Sequence, residues 1–432
     1  MRWNRISWFF LLVVLFLLTA GNGWTQEIVF LVGNEFGVGA RALGMGGAQI
    51  AVTEDYSATY WNPAALALVR RMEFQGSLSH LITRDDATFS TLTTSTDAGF
   101  TKLNSLGFVF PVPTYRGSLV FAAGFNRVRS FDSNFSFSWF NPTPGDSVTQ
   151  TWDEMDTGGL NNWVLAGAID VSPNLSLGGS LNFWKGSDDY EWTFREEDNL
   201  DIYTFRKYDT NDRVNTDLSA FNIKLGGLYR ATSSLRFGLT LATPVTFEAK
   251  EDWSTGDRTV LDTNTTFDST ASGVFDYEIQ SPFAFGFGAS LSFANLLVGG
   301  DAEYSDWSQI KYKTEPPLRG VSKAEANRNI RENYQATTRY RLGAEFTLPR
   351  IGMQLRAGYA LDPSPLKNAL EDEDKKFITF GAGFLLDKQV KFDLAWTHGW
   401  WSRTSGPLSA DVYTITEKLE VNHFLATMAF RF

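Results

Sequence analysis

The chain has 432 residues, a net charge of -11 and no cysteine, and these three facts exclude several classes of protein. An acidic chain lacks the basic face that neutralises phosphates, so we expect no nucleic-acid partner. Without cysteine there is no thiolate catalysis, no disulfide scaffold and no lipid-anchored cysteine. The mean hydropathy of -0.18 is too polar for a helical membrane protein. It is ordinary for a membrane barrel, whose strands alternate apolar and polar residues.

The N-terminus has the pattern of a secretory signal peptide. Arg2 and Arg5 precede an apolar run over residues 8–20, and small residues follow it. The run is too short to span a membrane as a helix, so residues 1–24 are predicted to be a cleaved signal peptide, with an uncleaved anchor as the alternative. Cleavage is expected between about Ala20 and Gln26.

Residues 25–70 do not read as strand. They contain several closely spaced glycines, followed by a helix-like stretch around residues 64–68. A wide membrane barrel cannot be filled by its own side chains, so some segment must block it. The sequence therefore predicts that residues 25–70 form a hatch inside the barrel. A periplasmic tail is the alternative.

From residue 71 onwards the chain reads as membrane strands. At the C-terminus, Phe424, Met428 and Phe430 alternate with His423 and Thr427, and the same period of two recurs backwards along the chain. Short turns, such as residues 171–174, alternate strictly with long polar connections, such as residues 186–215. This pattern is typical of outer-membrane barrels. We predict an all-β fold: a transmembrane antiparallel β-barrel of about 14 strands over residues 71–432, where a miscount by one hairpin gives 12 or 16.

The last residue of the chain is an aromatic, Phe432. Outer-membrane barrels commonly end on an aromatic that the barrel assembly machinery reads, so this machinery is an expected partner. We also expect a monomer in contact with outer-membrane lipid, located in the bacterial outer membrane.

Four stretches of the chain carry a family resemblance. They are Gly-Ala-Arg-Ala-Leu-Gly-Met-Gly-Gly-Ala at residues 39–48, Thr-Tyr-Trp-Asn-Pro-Ala at 59–64, Asp-Ala-Glu-Tyr-Ser-Asp-Trp-Ser at 301–308, and residues 356–365. Their order and spacing resemble the FadL/TodX family of outer-membrane channels for long-chain fatty acids and other hydrophobic compounds. One departure is Ala65, where the family usually has glycine.

The resemblance implies a function and a set of gate residues. The implied function is uptake of hydrophobic small molecules, most of all long-chain fatty acids, by binding inside the barrel and movement of the hatch. In related channels the ligand leaves through a gap in the wall. The implied hatch and gate residues are Asn62, Pro63, Ala64, Gly44, Gly46 and Gly47. The glycine-rich stretch also resembles barrels that serve protein secretion, so a non-transporting scaffold or accessory subunit is the alternative function.

Charged residues on the inward faces of the late strands are candidate lumen contacts: Arg339, Arg341, Arg356, Asp301, Glu303 and Glu345. The carboxylate of a fatty acid would need one or two cations nearby. The alternative is a charge network that fixes the hatch to the wall, since ion pairs facing a lumen commonly have no other role.

The sequence does not favour an enzyme. Ser79 precedes His80, but neighbours on a strand point to opposite faces. His398 and His423 lie on adjacent predicted strands with no obvious nucleophile between them, and three histidines are too few for a metal site. A phosphate loop is absent as well, because the glycines at residues 44–47 lack the following lysine and hydroxyl residue. We expect no catalytic residue, no metal and no cofactor.

Overall fold

The computed structural model describes residues 37–89, 92–141, 147–318, 320–386, 389–405 and 415–432. The predicted signal peptide and residues 25–36 of the predicted hatch lie outside the described residues. Residues 37–70, the described part of the predicted hatch, are called the hatch segment from here on.

Eighteen β-segments make up one antiparallel sheet within the described residues. They are β1 Glu73–Phe89, β2 Leu92–Val112, β3 Leu119–Ser130, β4 Ser133–Asn141, β5 Val148–Ser172, β6 Leu175–Glu197, β7 Phe205–Arg230, β8 Leu235–Ala242, β9 Thr246–Leu261, β10 Thr266–Gln280, β11 Ala284–Phe293, β12 Leu296–Asp306, β13 Lys311–Tyr312, β14 Ala336–Thr347, β15 Gln354–Asp362, β16 Lys375–Leu386, β17 Val390–Ser405 and β18 Ile415–Arg431.

The described segments form 14 barrel strands, because four segments continue the segment before them along one strand. β3 and β4 both pair with β5, and β8 and β9 both pair with β7. β10 and β11 continue one another opposite β9 and β8, and β12 and β13 do so opposite β11 and β10. The sheet closes where β1 pairs with β18, from Glu73↔Arg431 upwards. The predicted 14-stranded antiparallel barrel is confirmed.

The outward faces of the strands are apolar and the inward faces are polar or small. On β18, Phe424 and Met428 are 44% and 45% exposed, whereas Leu425, Thr427 and Ala429 between and beside them are buried. Successive side chains on a strand point to opposite faces, so the alternation in the sequence becomes a surface that suits lipid outside and a lined lumen inside.

Most of the connections that were predicted as long loops are strands instead. β1 ends at Phe89 and β2 begins at Leu92, while residues 262–265 join β9 and β10. The outer parts of these hairpins extend past the apolar outer surface of the barrel, and residues 266–272 of β10 are all exposed. A stretch that is wet on both faces loses the alternation that marks a half-buried strand, so its sequence reads as loop. The short turns lie where they were predicted, for example at residues 173–174 between β5 and β6.

The helices are few and short. α1 Ala40–Gly44, α2 Ala58–Trp61 and the 3₁₀ helix Pro63–Leu68 belong to the hatch segment. A second 3₁₀ helix, Trp307–Gln309, and α3 Lys323–Asn333 lie between β12 and β14. Of the helices in the described part of the chain, none is long and apolar enough to cross a membrane.

The hatch segment lies inside the barrel. Its helix α1 contacts β15 to β18, while the 3₁₀ helix Pro63–Leu68 contacts β3, β5, β6 and β7 on other parts of the wall. Nearly all of its side chains between Val38 and Ala67 are buried. A segment that touches the wall on several sides and is buried throughout occludes the lumen at that level.

Candidate functional site

A chain of buried ion pairs joins the hatch segment to the wall. Arg41 donates from Nε and Nη2 to the two carboxylate oxygens of Glu345 on β14, at 2.9 and 3.0 Å. Glu345 also accepts from Nε of Arg356 on β15 at 2.6 Å. Arg356 Nη1 lies 2.7 Å from Asp393 Oδ1 on β17. All four side chains are more than nine-tenths buried, so the loss of one partner would leave a buried charge with less compensation.

The charges return to the hatch segment through Lys391 on β17. Its ammonium lies 3.3 Å from Asp393 and 3.7 Å from Asp55 of the hatch segment. Asp55 in turn accepts from the N–H and the hydroxyl of Ser57, at 3.0 and 2.6 Å. Two of the sequence candidates, Arg356 and Glu345, are therefore placed in contacts that tie the hatch segment to three barrel strands.

Asp301, another sequence candidate, binds the hatch backbone. Its Oδ2 accepts from the backbone N–H groups of Gln49 and Ile50, at 2.5 and 2.9 Å. The carboxylate is buried on β12. Hydrogen bonds from backbone N–H groups are the kind that stabilise a carboxylate away from water, and here they fix the middle of the hatch segment.

Asn62 connects two turns of the hatch segment to β7. Its Nδ2 donates to the carbonyl oxygens of Ile50 and Gly227, at 2.7 and 3.2 Å. Its Oδ1 accepts from the N–H of Ala64 at 3.1 Å. Pro63 is the first residue of the 3₁₀ helix and has no N–H to satisfy, so Asn62 caps the next free donor. The Asn-Pro-Ala element is thus a capped turn pressed against the wall.

The three glycines singled out in the sequence are close to the wall as well. Gly46 and Gly47 have positive φ angles of 63° and 76°, which favour glycine. A Cβ on Gly46 would lie 2.8 Å from the carbonyl oxygen of Leu342, and one on Gly44 would lie 3.0 Å from Cα of Gly381. The backbone of the hatch segment therefore approaches the wall more closely than any side chain would allow.

The wall offers matching glycines, which sequence reasoning missed. At each of them an added Cβ would lie within 3 Å of an atom of the hatch segment: Gly107, Gly178, Gly226, Gly238, Gly288, Gly299, Gly343 and Gly358. They lie on eight segments of the wall, β2, β6, β7, β8, β11, β12, β14 and β15, at the level of the hatch segment. A glycine inside a strand often marks a close approach of another backbone, and this was the signal available in the sequence.

A cavity of about 130 Å³ borders the hatch segment, and Tyr60 and Trp61 of this segment line it. Its walls belong in part to a large apolar cluster, and Leu160, Trp184, Val245 and Phe247 are in both. The cluster also includes Val128, Leu218, Ala249, Tyr277, Ile279, Ile310, Tyr312, Leu318, Ala326, Ile330 and Tyr334. Ala326 and Ile330 come from α3, so the connection between β13 and β14 folds onto the cluster.

The remaining residues that the sequence suggested as lumen contacts lie beside this cavity or beside the hatch segment. Arg339 and Glu303 line the cavity and lie 3.3 Å apart, and Arg339 also pairs with Asp362 at 2.9 Å. Arg341 lies 3.5 Å from Glu303 and 5.3 Å from the ring centroid of Trp61 in the hatch segment. Of the three arginines proposed from the sequence, Arg339 thus faces the cavity, whereas Arg341 and Arg356 contact the hatch segment or its anchors.

Lys224 on β7 is a cavity residue that the sequence reading did not single out. Its Nζ donates to the carbonyl oxygen of Tyr60 at 2.6 Å and lies 5.4 Å from the centroid of the Tyr60 ring. One lysine on the inward face of one strand has no distinguishing pattern, so only the fold reveals its position.

The barrel wall is interrupted between β2 and β3. Within the described residues, the ladder between them runs from Val112↔Leu119 to Ser105↔Asn126 and stops there, although β2 continues to pair with β1. Beyond Asn126 the chain bends inwards, since Val128 belongs to the luminal cluster and Phe131 packs against it. The wall therefore has a gap in its hydrogen bonding beside the apolar cluster.

The start of the hatch segment lies at this gap. Asn104 on β2 donates from Nδ2 to the carbonyl oxygen of Gly37 at 3.3 Å, and its Oδ1 accepts from the N–H of Gly39 at 3.5 Å. The same amide group lies 3.5 Å from the carbonyl oxygen of Arg127 on the other side of the gap. Asn104 thus connects both edges of the gap with the hatch segment.

One carboxyl group at the outer end of the cluster is perturbed by its surroundings. Glu251 lies on β9, in the part of the barrel beyond the apolar band, where Glu248 and Lys250 are exposed to water. Burial raises the pKa of Glu251 to about 7, while a hydrogen bond with Tyr277 acts in the opposite direction and Asp188 adds to the rise. A buried carboxyl of this kind is stable in its neutral form.

His80 and His398 have ordinary polar neighbours. Nδ1 of His80 lies 2.8 Å from the Thr101 hydroxyl, and Nδ1 of His398 lies 3.1 Å from Oδ1 of Asn422. His423 is buried in the wall. Across the described ranges, no group of three or more histidine, aspartate or glutamate side chains could hold a metal ion.

Comparison with known proteins identifies the family. The model of the family described as outer membrane protein transport protein (OMPP1/FadL/TodX) matches residues 32–423. The chain belongs to this family. Membership and the closed barrel indicate an outer-membrane location, as predicted, and the family is one of transport proteins. No curated protein sequence matches the chain.

Solved structures of similar fold agree with this membership. A FadL homologue from Pseudomonas aeruginosa has a TM-score of 0.62 at 14% identity, covering 91% of this chain and 98% of its own. The toluene transporter TodX from P. putida has a TM-score of 0.64 at 14% identity, with coverage of 92% and 99%. The toluene transporter TbuX from Ralstonia pickettii has 0.56 at 15% identity, with coverage of 92% and 99%. At such low identity these likenesses show the fold alone.

Proposed function

We propose that this protein is an outer-membrane channel for the uptake of hydrophobic small molecules, with long-chain fatty acids as the expected class. The observation that carries the proposal is the apolar cluster inside the barrel, which borders a cavity on the hatch segment. Barrel interiors are usually polar, so a cluster of buried Trp, Phe, Ile and Leu side chains in the lumen needs an explanation. Binding of an apolar ligand is the explanation that this chemistry favours.

The energetics of such binding need little polar recognition. Each methylene that leaves water contributes about 0.8 kcal/mol, so a long acyl chain or an alkylated ring gains several kcal/mol from burial alone. A carboxylate head group would also find a cation nearby, since Arg339 and Lys224 line the cavity. TodX and TbuX are toluene transporters, and their similarity to this chain supports a hydrophobic substrate in general terms.

The proposed route runs from the apolar cluster to the gap between β2 and β3. The hatch, residues 25–70, acts as the gate, and its gate residues are Asn62, Pro63, Ala64, Gly44, Gly46 and Gly47. Phe131 and Val128 bring the cluster to the gap, and Asn104 brings the hatch segment there. A ligand that follows this route reaches the membrane without displacing the ion pairs around Arg41.

Binding and uptake measurements test the proposal. Purified protein in lipid nanodiscs is titrated with palmitate, a long-chain fatty acid, and with toluene, and uptake of the same compounds is followed in proteoliposomes. We expect saturable binding of at least one compound, and Phe247→Asp should abolish it because a buried charge would enter the apolar cavity. Phe247→Leu is the control that keeps an apolar side chain. If the folded wild type showed neither binding nor uptake, the proposal would be contradicted, and the scaffold function would remain.

A further inference from the structure

The strand β10 has a free edge in the outer part of the barrel. It pairs with β9 along its whole length, from Thr266 to Gln280, but on its other side only Ile279 and Gln280 pair with β13. Among the described residues, no strand pairs with this side of residues 266–278. The cause lies in the next connection, because the chain between β13 and β14 turns inwards and places α3 against the apolar cluster instead of extending the sheet.

Glu278 shows which backbone groups of β10 lie on the free edge. Its carbonyl oxygen accepts from the N–H of Lys313, and its own N–H donates to the hydroxyl of Thr314, both at 2.8 Å. Both groups therefore point away from β9. Along an antiparallel strand the side to which these groups point alternates from one residue to the next, and the ladder with β9 has no register shift. The even-numbered residues from 268 to 276 thus present their N–H and C=O groups on the free edge, which is a template for one more strand.

The same strand carries apolar side chains that water reaches. Val274 is 74% exposed and Phe267 is 58% exposed. Phe275, on the same face as Phe267, packs against the apolar cluster, and the ring of Trp253 on β9 lies 3.0 Å from where a Cβ on Gly273 would be. This part of the sheet extends past the apolar outer surface of the barrel, so these side chains have no lipid to contact. One further strand on the edge would cover them.

The outward face beside the free edge is acidic. Asp276 on β10 and Glu248 and Asp252 on β9 are exposed to water, and Lys250 lies among them. Opposite charges side by side on neighbouring strands stabilise the pairing, whereas like charges oppose it. The edge therefore favours a strand with basic side chains on its outward face and apolar side chains on the other.

We propose that the free edge of β10 binds an extended segment of another protein in which apolar and basic side chains alternate. The segment adds one strand to the sheet through the backbone groups of residues 268–276. Its basic side chains lie beside Asp276, and its apolar side chains lie beside Phe275 and Phe267. In such strand addition the backbone hydrogen bonds hold the segment and the alternate side chains select it. The edge lies apart from the cavity and from the gap, so this interaction is additional to the proposed uptake.

The test uses a nine-residue peptide of alternating lysine and valine, which has the length of the stretch from Asp268 to Asp276. Wild type in phosphatidylcholine nanodiscs is titrated with this peptide, and empty nanodiscs are the blank. We expect saturable binding and slower hydrogen exchange in residues 266–278. A peptide of alternating glutamate and valine should bind at least about tenfold more weakly, because like charges oppose the pairing. The lysine–valine peptide with methylated backbone nitrogens should not bind, because it cannot donate hydrogen bonds to the edge.

Two variants test the edge itself. Ser272→Pro removes an N–H from the free side, and proline is tolerated on an edge strand where the N–H side faces solvent. This variant should keep the slow exchange of β9 and lose the peptide. Asp276→Lys should weaken the binding of the lysine–valine peptide about tenfold. Asp189→Lys is the matched control, because it makes the same charge change at an exposed position on β6, away from the edge, and it should behave as wild type.

Each contrary result overturns a stated part of the inference. If the folded wild type does not bind the lysine–valine peptide, binds its methylated form equally well, or binds it as tightly in Ser272→Pro, strand addition is overturned. If the lysine and glutamate peptides bind equally, the basic partner is overturned. If the wild type forms a dimer that Ser272→Pro abolishes, a second copy of this chain occupies the edge, and a different protein as partner is overturned. The proposed uptake is measured separately with palmitate and toluene and stands in each case.

Discussion

The lumen of this barrel has two levels with opposite chemistry, although the same strands line both. At the level of the hatch segment, inward positions are glycines and paired charges, and backbone meets backbone. Further out, inward positions on the same strands are Trp184, Leu218 and Phe247, and a cavity remains between them. Buried charges with fixed partners have one good arrangement, whereas apolar side chains can repack around a guest. The first level therefore holds a fixed segment, and the second has the adaptable packing that the proposed ligand binding requires.

The largest effect is expected from breaking the charge network at the inner level. Arg356→Met leaves Glu345 and Asp393 with one partner fewer inside the wall. Removal of one partner costs about 3–5 kcal/mol where it leaves a buried charge uncompensated. Glu345 and Asp393 each keep a second partner, so we expect a loss of up to that size and a lower midpoint of urea unfolding in detergent. Permeability of cells to small polar antibiotics should rise as the hatch loosens. The control is Arg258→Met, because its pair with Asp268 is exposed and contributes about 1 kcal/mol or less. Equal shifts for the two variants would show that the network does not anchor the hatch.

The second prediction concerns the fit between wall glycines and the hatch segment. A Cβ on Gly178 would lie 2.5 Å from the nitrogen of Ala64 and from the carbonyl carbon of Pro63. Gly178→Leu should therefore push the Asn-Pro-Ala turn off β6, at a cost of about 1–3 kcal/mol for overpacking. Limited proteolysis should then cut the hatch segment faster. Gly256→Leu is the matched control, because a Cβ at that position on β9 meets nothing within 4 Å. If the hatch segment of Gly178→Leu were cut at the wild-type rate, the turn would accommodate the larger side chain without loss of stability.

These inner contacts mark the limit of what the sequence could predict. The alternation of apolar and polar residues and the lengths of the connections were enough to predict the 14 strands, because every strand of a membrane barrel has the same period of two. The Asn-Pro-Ala element was found by resemblance. The fit of Gly178 to Ala64 and the bond of Lys224 to Tyr60 join residues more than 100 positions apart, and no local pattern reports such pairs. The outer ends of the strands were predicted as loops for a related reason: towards the hairpin tips, as in residues 266–272, both faces are wet and the alternation is lost.

The third prediction sharpens the boundary between the two levels at Asn62. Asn62→Ala removes two hydrogen bonds to carbonyl oxygens and the cap on Ala64. We expect a loss of about 1–2 kcal/mol in the local stability of residues 58–68, in line with the value of a capping side chain. Hydrogen exchange of this stretch should quicken, while that of residues 40–50 stays slow because their ion pairs and their bonds to Asp301 remain. Asn199→Ala, which removes one exposed hydrogen bond to Thr149, is the control. Uniform acceleration over the whole hatch segment would show that it opens as one unit.

The smallest effect is expected at the outer end of the second level, where Glu251 lies beside the tyrosines of the apolar cluster. Its pKa of about 7 in the folded protein is above its ordinary value of 4.5, so the folded state binds the proton more tightly than the unfolded state does. The resulting stability is fully present below pH 4.5 and is lost as the pH rises through 7. Amides of the β9–β10 hairpin should therefore exchange a few-fold faster in wild type than in Glu251→Gln at pH 8, and equally at pH 5.

Glu248→Gln, an exposed change on the other face of β9, should match wild type at both pH values. If the ratio of the exchange rates of wild type and Glu251→Gln were the same at pH 5 and pH 8, water would already reach Glu251. The outer level of the lumen would then be wetter than its apolar side chains imply. The two levels would differ in how their side chains pack, but not in their access to water.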